Sequence, residues 1–179
     1  MNAPANCTPD ASEHAPYYSR YTSLVNSSDI LATLRQQLPE TITLFSPLNE
    51  DQGNFRYAPG KWSVKQMLGH MIDTERVFTY RALRIARNDK TPMEGFEQDD
   101  YVSYGPFGGI PLPELLEEFS HVRAASLDLF RHLDSSAWMR RGTANQSEVT
   151  VRAVAYILAG HELHHRNVFR EKYLPHLGR

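Results

Sequence analysis

The stretch "TVRAVAYILAGHELHHRNVFREKY", residues 150–173, contains the pattern that decides the fold. Inward-facing positions recur in alternating steps of four and three residues: Val154, Leu158, His161, His165 and Val168. That spacing is typical of the buried stripe of a helix in a bundle. We therefore predict one long helix from about Thr150 to Tyr173, with two histidines on its buried face.

Three upstream segments show the same helical periodicity. The first begins at Ser28 or Asp29, either of which can cap a helix, and its pattern contains Pro39, which predicts a kink or break. The second begins with a Ser63–Gln66 capping box and runs to about residue 87. The third covers "PLPELLEEFSHVRAASLDLFRHL", residues 111–133.

No segment alternates apolar and polar residues over the length of a strand, and the best candidate, "SEVTV", is short. Four long helices and no sheet predict an all-α four-helix bundle. We expect residues 1–25 to form an irregular N-terminal tail and residues 26–179 to form the bundle domain. The long connection 88–110 lies between helices 2 and 3 and is rich in aromatic, acidic and glycine residues. We expect it to act as a lid or pocket wall.

Composition restricts the class of partner. The 179 residues carry a net charge of −2 with no basic stripe, so we expect no nucleic-acid partner. The arginines between Arg76 and Arg87 are interpreted as a solvated helix face. The single cysteine, Cys7, allows no disulfide framework within the chain, and no signal-like or membrane-length apolar segment is present. We therefore expect a cytoplasmic protein without a membrane partner.

The string His161-Glu162-x-x-His165 matches the zinc-protease signature of two histidine ligands and a glutamate base. The extended protease signature places a third histidine where this chain has Glu171, and a glycine where it has Val168. Few residues follow His165, too few for a returning helix that could supply another ligand. A peptidase is therefore disfavoured, and a third ligand should come from upstream.

His70 is the best upstream candidate for that third ligand, because it lies on the flank of the second helix's apolar face. Glycines precede both His70 and His161, and a glycine within a helix costs about 1 kcal/mol relative to alanine. Close approach of the two helices would explain Gly69 and Gly160. His70, His161 and His165 would then form a three-nitrogen site for zinc, nickel or a similar divalent ion, with open coordination positions.

Other histidines are weaker candidates. His14 lies in the tail, His121 and His132 lie away from the apolar stripe of the third helix, and His164 does not share a face with His161. The alternative interpretation is that the three chosen histidines are polar residues of the bundle interior, satisfied by hydrogen bonds without an ion.

Three carboxylates are candidates for acid–base work or for supporting a ligand: Glu75, Asp73 and Glu162. Glu75 falls in the middle of an apolar face and needs an arginine, a tyrosine or a ligand histidine as partner. Glu162 borders the buried stripe, where a salt-bridged or solvated carboxylate is favoured over a base. Asp73 lies further towards solvent. The catalytic residue itself is not identified.

Two blocks resemble the DinB/YfiT-like superfamily, in the branch described as metal-dependent hydrolases. They are "YAPGKWSVKQMLGHMIDTERVFTYRALRIARNDKTPMEGFEQDDYV", residues 57–102, and "RGTANQSEVTVRAVAYILAGHELHHRNVFREKY", residues 141–173. The resemblance extends from Tyr17 onward. It implies a bundle of up-down-down-up topology, a metal on His70, His161 and His165, and frequent dimerisation. Relatives include transferases that use low-molecular-weight thiols and a maleylpyruvate isomerase.

These patterns together predict a metal-dependent enzyme that acts on a small molecule. It would be a hydrolase or a low-molecular-weight-thiol S-transferase with zinc or nickel bound, and in the transferase a low-molecular-weight thiol is the co-substrate. We expect a homodimer. The alternatives are a non-enzymatic metal-binding or stress-response module and a purely structural bundle.

Overall fold

A computed structural model describes residues 7–178 of the chain. Its α-helices are α1 Ser19–Thr22, α2 Ile30–Phe45, α3 Glu50–Asn54, α4 Val64–Ala86, α5 Gln98–Tyr104, α6 Leu112–Arg131, α7 Ser135–Trp138 and α8 Val151–Val168. The strands are β1 Arg141–Ala144 and β2 Ser147–Thr150. Short 3-10 turns occur at Ala11–Glu13, Pro16–Tyr18, Phe107–Gly109 and Leu174–His176, and a π-helical segment, Phe169–Tyr173, continues α8. Within the described residues, no helix has the length and apolarity needed to cross a membrane.

Two buried apolar clusters show how the long helices run. One cluster contains the beginnings of α2 and α8 and the ends of α4 and α6, and the other contains the opposite ends. Helices α2 and α8 therefore run in one direction, and α4 and α6 run in the other. Helix α4 packs against α6 and α8, and α2 packs against the same two. The predicted four-helix bundle and its up-down-down-up topology are confirmed.

Helices α2, α4 and α8 begin at capping residues. Asp29 accepts a hydrogen bond from the backbone of Ala32, and Thr150 caps α8 in the same way. Ser63 and Gln66 form the predicted reciprocal capping box of α4. Of the kink or break predicted at Pro39, the break does not occur, because α2 continues through this residue. Pro39 lies on the exposed face of α2, where water can reach the backbone carbonyl that the proline leaves unpaired.

A two-stranded hairpin departs from the expectation of no sheet. Strands β1 and β2 pair in antiparallel register, with Ala144 opposite Ser147. The intervening Asn145 and Gln146 have φ angles of 48° and 62°, which is the backbone of a two-residue hairpin turn. Met93 adds a bridge beside Ala144, so the hairpin also anchors the connection between α4 and α6. Each strand has four residues, too short for an alternating pattern to stand out.

The segment predicted as an irregular tail is folded against the bundle where it is described. It contains two 3-10 turns and α1, and Tyr21 is buried where α1 packs on α8. Glu13 is also buried, and it accepts hydrogen bonds from Thr150 and Arg152. Residues 1–6 of the predicted tail lie outside the described residues.

A buried polar layer separates the two apolar clusters. At its centre, the fully buried Arg123 of α6 makes two 2.8 Å hydrogen bonds to the carboxylate of Glu75 on α4. It also lies 2.7 Å from Glu162 on α8 and donates to the carbonyl of Leu34 on α2. One side chain therefore links all four helices at the level of the candidate histidines.

Candidate metal centre

The imidazoles of His70, His161 and His165 converge at one buried point of the bundle. Nε2 of His161 lies 2.9 Å from Nε2 of His70 and 3.1 Å from Nε2 of His165. All three side chains are buried, and within the described residues they form the group of side chains able to share a metal ion. Two nitrogens that each lie ~2.1 Å from one ion are about 3.0 Å apart at the right angles of octahedral coordination and about 3.4 Å apart at tetrahedral angles. The observed separations fit the first of these spacings.

Local helix geometry produces this convergence. His161 and His165 are four residues apart on α8 and therefore project from one face. His70 reaches them from α4, which packs against α8. The ring of Trp62 lies tilted against the ring of His70, at 4.7 Å between ring centroids, and the ring of Tyr21 lies 5.3 Å from that of His161. Aromatic rings therefore exclude water from two sides of the cluster.

The two glycines beside the histidines allow close contacts, although not the contact that the sequence predicted. A Cβ atom at Gly69 would overlap the ring of Phe107, and one at Gly160 would overlap the backbone carbonyl of Tyr21. The sequence suggested that these glycines allow α4 and α8 to approach each other closely, and that explanation is therefore corrected. Because Gly69 and Gly160 have no side chain, the α4–α6 connection and the N-terminal segment can pack directly on the helical turns that carry the histidines.

Burial keeps the three imidazoles neutral at neutral pH. It lowers the pKa of His70 to about 4, with a smaller contribution from His164. Burial, followed by repulsion from neighbouring histidines, holds the pKa values of His161 and His165 well below the usual range. Neutral imidazole is the metal-binding form. Three neutral Nε2 atoms that face one another fit a site for a cation.

The other histidines are placed away from this cluster. His164 is half-buried against the ring of Tyr21 and does not join the group. His14 is buried, where it is hydrogen-bonded with Thr22. His121 and His132 are exposed.

The three candidate carboxylates are engaged elsewhere. Glu75 and Glu162 both pair with Arg123, and Glu162 also accepts a hydrogen bond from Thr41. Asp73 lies nearer the surface, 3.5 Å from Arg76, and burial raises the pKa of its carboxyl. Within residues 7–178, none of their hydrogen bonds or ion pairs involves His70, His161 or His165. Glu162 is thus salt-bridged as expected, but it is not solvated and is not free to act as a protease base.

A pocket of about 510 Å³ opens beside the histidines. His70 and His161 line its floor, and residues 95–99 of the α4–α6 connection form one wall, as the prediction of a pocket wall required. Tyr18 and Tyr21 form another side, and Asn145 of the hairpin turn lies at the edge. The volume is in the range of small-molecule sites.

The family model of the DinB superfamily matches residues 33–169, which include all three histidines. The chain belongs to the DinB superfamily. The resemblance seen in the sequence is thereby confirmed.

Relatives of this DinB-superfamily chain carry names that concern metals and thiols. It is 23% identical over 138 residues to a protein of Oceanobacillus iheyensis named "Putative metal-dependent hydrolase", covering 75% of this chain and 76% of that protein. YfiT from Bacillus subtilis, described as a probable metal-dependent hydrolase with an unusual four-helix bundle topology, superposes with a TM-score of 0.68 at 15% identity. That match covers 90% of this chain and 91% of YfiT.

A mycothiol-dependent maleylpyruvate isomerase also superposes on the DinB-superfamily fold of this chain, with a TM-score of 0.65 at 14% identity. The match covers 84% of this chain and 66% of the isomerase. At these identities the two solved structures establish the fold.

Two residues at or near the candidate site of this DinB-superfamily chain were not predicted from the sequence. The interpretation of the arginines between Arg76 and Arg87 as a solvated face fails for Arg81, which is buried and lines the pocket. Arg123 carried no signal because its partners lie 48 and 89 residues away along the chain. The tyrosines at positions 17, 18 and 21 did carry a signal in the sequence, since three aromatic residues in a polar segment indicate packing on the bundle.

Proposed function

We propose that this DinB-superfamily protein is a metal-dependent enzyme that acts on a small molecule. In this proposal His70, His161 and His165 hold one divalent ion, zinc or nickel, through their Nε2 atoms. The observation that supports it is the convergence of three buried, neutral imidazoles beside a pocket of about 510 Å³. Three protein ligands leave coordination positions open towards that pocket, as catalytic sites require.

A divalent ion held there would supply a Lewis acid that lowers the pKa of a bound water or thiol. The residues around it would supply position and exclusion of water. Trp62 and Tyr21 hold the rings of His70 and His161 by contact. The Arg123 network holds Glu162 and thereby the turn of α8 that carries His161.

The nucleophile would come from outside the protein. The carboxylates nearest in sequence to the histidines are engaged by arginines, and the single cysteine, Cys7, is exposed in the N-terminal segment. Water would make the protein a hydrolase, in keeping with the names of two relatives. A low-molecular-weight thiol would make it an S-transferase, in keeping with the thiol dependence named for the isomerase.

An assay of the metal-loaded protein distinguishes these two reactions. Protein reconstituted with zinc or nickel would be incubated with activated esters and amides, and separately with electrophiles together with mycothiol, bacillithiol, glutathione or cysteine. We expect turnover that chelation abolishes and that is lost in His70→Ala but retained in His164→Ala. Turnover that needs a thiol supports the transferase, and turnover with water alone supports the hydrolase. Turnover that persists at the untreated wild-type rate in the chelated protein and in His70→Ala would contradict both.

A homodimer remains part of the proposal. The resemblance to the superfamily supports it, and the exposed aromatic side chains Tyr80, Tyr101 and Tyr104 offer contact area. Light scattering should give about twice the 20.5 kDa chain mass, and a monomeric mass would contradict this part. If the protein holds a metal but catalyses neither reaction, the alternative of a metal-binding module is favoured.

A further inference from the structure

Arg81 shares the pocket with the candidate metal ligands. His70, Thr74, Phe78 and Arg81 follow one another at steps of four, four and three residues on α4, and all four line the pocket. Such steps place side chains along one face of a helix. Arg81 lines the pocket and is only 3% exposed, so its charge is shielded from bulk solvent.

The positive charge of Arg81 has no carboxylate partner. Its guanidinium donates a 2.7 Å hydrogen bond to the carbonyl of Glu94 and lies 5.0 Å from the ring centre of Phe78. Within residues 7–178, no carboxylate oxygen lies within ion-pair distance of it, whereas the other buried arginines, Arg123 and Arg166, pair with glutamates. Burial lowers the pKa of Arg81, an effect opposed by Tyr18. A buried cation without a counter-ion is costly, which points to an anion supplied from outside.

We infer that Arg81 binds the carboxylate of an elongated small-molecule carboxylate whose reacting end lies at His70, His161 and His165. The inference rests on the proposed function, and it adds the substrate class. The planar guanidinium suits a carboxylate, because it can form two parallel hydrogen bonds.

The helix sets the separation between the two ends of that molecule. Arg81 is eleven residues beyond His70, so their Cα atoms are about 16 Å apart along α4. Side chains on a helix lean towards its N-terminus, and the contact of Arg81 with Phe78 follows that direction. The carboxylate and the reacting atom are therefore separated by a chain of several bonds, which the pocket volume accommodates.

Two acidic residues of the pocket wall repel an anion, but their repulsion does not cancel the attraction of the anion to Arg81. Glu97 and Asp99 line the pocket, and both are exposed. Water and salt screen exposed charges far more than buried ones. The charge of Arg81 is therefore screened less than the charges of Glu97 and Asp99.

A series of ω-mercaptoalkanoates tests the inference, with the matched ω-mercaptoalkanamides as uncharged analogues. Binding would be measured by calorimetry on the metal-loaded full chain, from mercaptoacetate to mercaptooctanoate. The variants are Arg81→Met, Arg81→Lys and, as control, Arg76→Met on the same helix outside the pocket. Metal content would be measured for every preparation.

The wild type should bind the longer mercaptoalkanoates about tenfold to a hundredfold more tightly than the matching amides. Arg81→Met should lose that preference, Arg81→Lys should keep part of it, and Arg76→Met should keep all of it. Equal binding of acids and amides by metal-loaded wild type would overturn the inference alone, as would a preference that survives in Arg81→Met.

A protein that binds no metal would give a result different from failure of the inference about Arg81. If no preparation holds metal, the proposed function fails, and comparison of hexanoate with hexanamide then decides the role of Arg81. A preference for hexanoate that is lost in Arg81→Met supports the inference, and its absence in wild type overturns it.

Discussion

Arg123 shows how a single residue can organise the interior of this bundle. It is fully buried, and two carboxylates of neighbouring helices, Glu75 and Glu162, face its guanidinium. Burial opposes the charge of Arg123, but attraction to the two carboxylates outweighs it and raises the pKa of the guanidinium. Because Glu162 follows His161 directly, this contact also fixes the rotation of α8 about its axis.

Replacing Glu162 tests that role. Glu162→Ala removes one of the two buried carboxylates that face Arg123 and also removes the acceptor of the Thr41 hydroxyl, so it should lower the free energy of unfolding by about 3 kcal/mol. The control Glu118→Ala removes a partner of the half-exposed Arg76 and should cost less than about 1 kcal/mol. Urea unfolding measures both. Unchanged stability in Glu162→Ala, together with complete loss of activity, would instead indicate a catalytic base.

Gly160 tests the packing beside the metal ligands. In Gly160→Ala the new methyl group would overlap the backbone of Tyr21, so we expect destabilisation of about 2 kcal/mol. Gly108→Ala is the matched control, because nothing lies within 4 Å of its Cβ position and its stability should change by less than about 0.5 kcal/mol. Equal thermal midpoints for the two variants would contradict the contact between the N-terminal segment and α8.

The elements around the bundle are held by contacts that also shape the pocket. The hairpin of β1 and β2 bridges Met93, and its turn residue Asn145 lies at the pocket edge. The N-terminal segment is fixed by Glu13 to Thr150 and Arg152 at the start of α8. Both elements are therefore walls of the site as well as additions to the fold.

The hairpin turn carries strain that a glycine should relieve. Gln146 has a φ of 62°, a conformation that costs a residue with a Cβ atom about 1 kcal/mol. Gln146→Gly should therefore raise the free energy of unfolding by about 0.5 kcal/mol, after the greater freedom of glycine in the unfolded chain is included. Gln146→Ala retains the Cβ atom and should give no gain. A destabilised glycine variant would contradict the turn geometry.

Acid should weaken the attachment of the N-terminal segment. Burial disfavours the charged form of Glu13, but hydrogen bonds from Arg152, the Asp10 backbone and Thr150 outweigh burial and lower its pKa below 4.5. The attachment is therefore fully present above about pH 4.5, the unfolded value, and is lost as the pH falls through the folded pKa. Unfolding free energies measured from pH 6 downward should fall less steeply in Glu13→Gln. Identical slopes would contradict the assignment.

At the scale of the whole molecule, the sequence predicts what local spacing determines. Three features follow from helix geometry alone and could therefore be predicted from the sequence. They are the capping box of Ser63, the i,i+4 pair of His161 and His165, and the apolar stripes. The partners of Gly160 and Arg123 could not be predicted, since they depend on which helices become neighbours. Likewise the burial of Arg81 depends on the fold of the α4–α6 connection, for which local periodicity gives no guide.

The same distinction applies to the candidate site. The ligand set could be inferred because two of its members are one helical turn apart and the third shares an apolar flank. The pocket, the aromatic cover and the uncompensated charge of Arg81 arise only when α4, α8, the hairpin and the N-terminal segment meet. These features carry the proposals about substrate.

The most direct test is the metal content of the protein purified without chelators or a metal-affinity tag, then incubated with zinc or nickel and desalted. Elemental analysis should find one ion per chain in the wild type and in His164→Ala, whose ring lies outside the cluster. His70→Ala, His161→Ala and His165→Ala should each retain far less, while remaining folded by circular dichroism. A wild type without stoichiometric metal, or a His70→Ala variant that retains a full ion, would contradict the account.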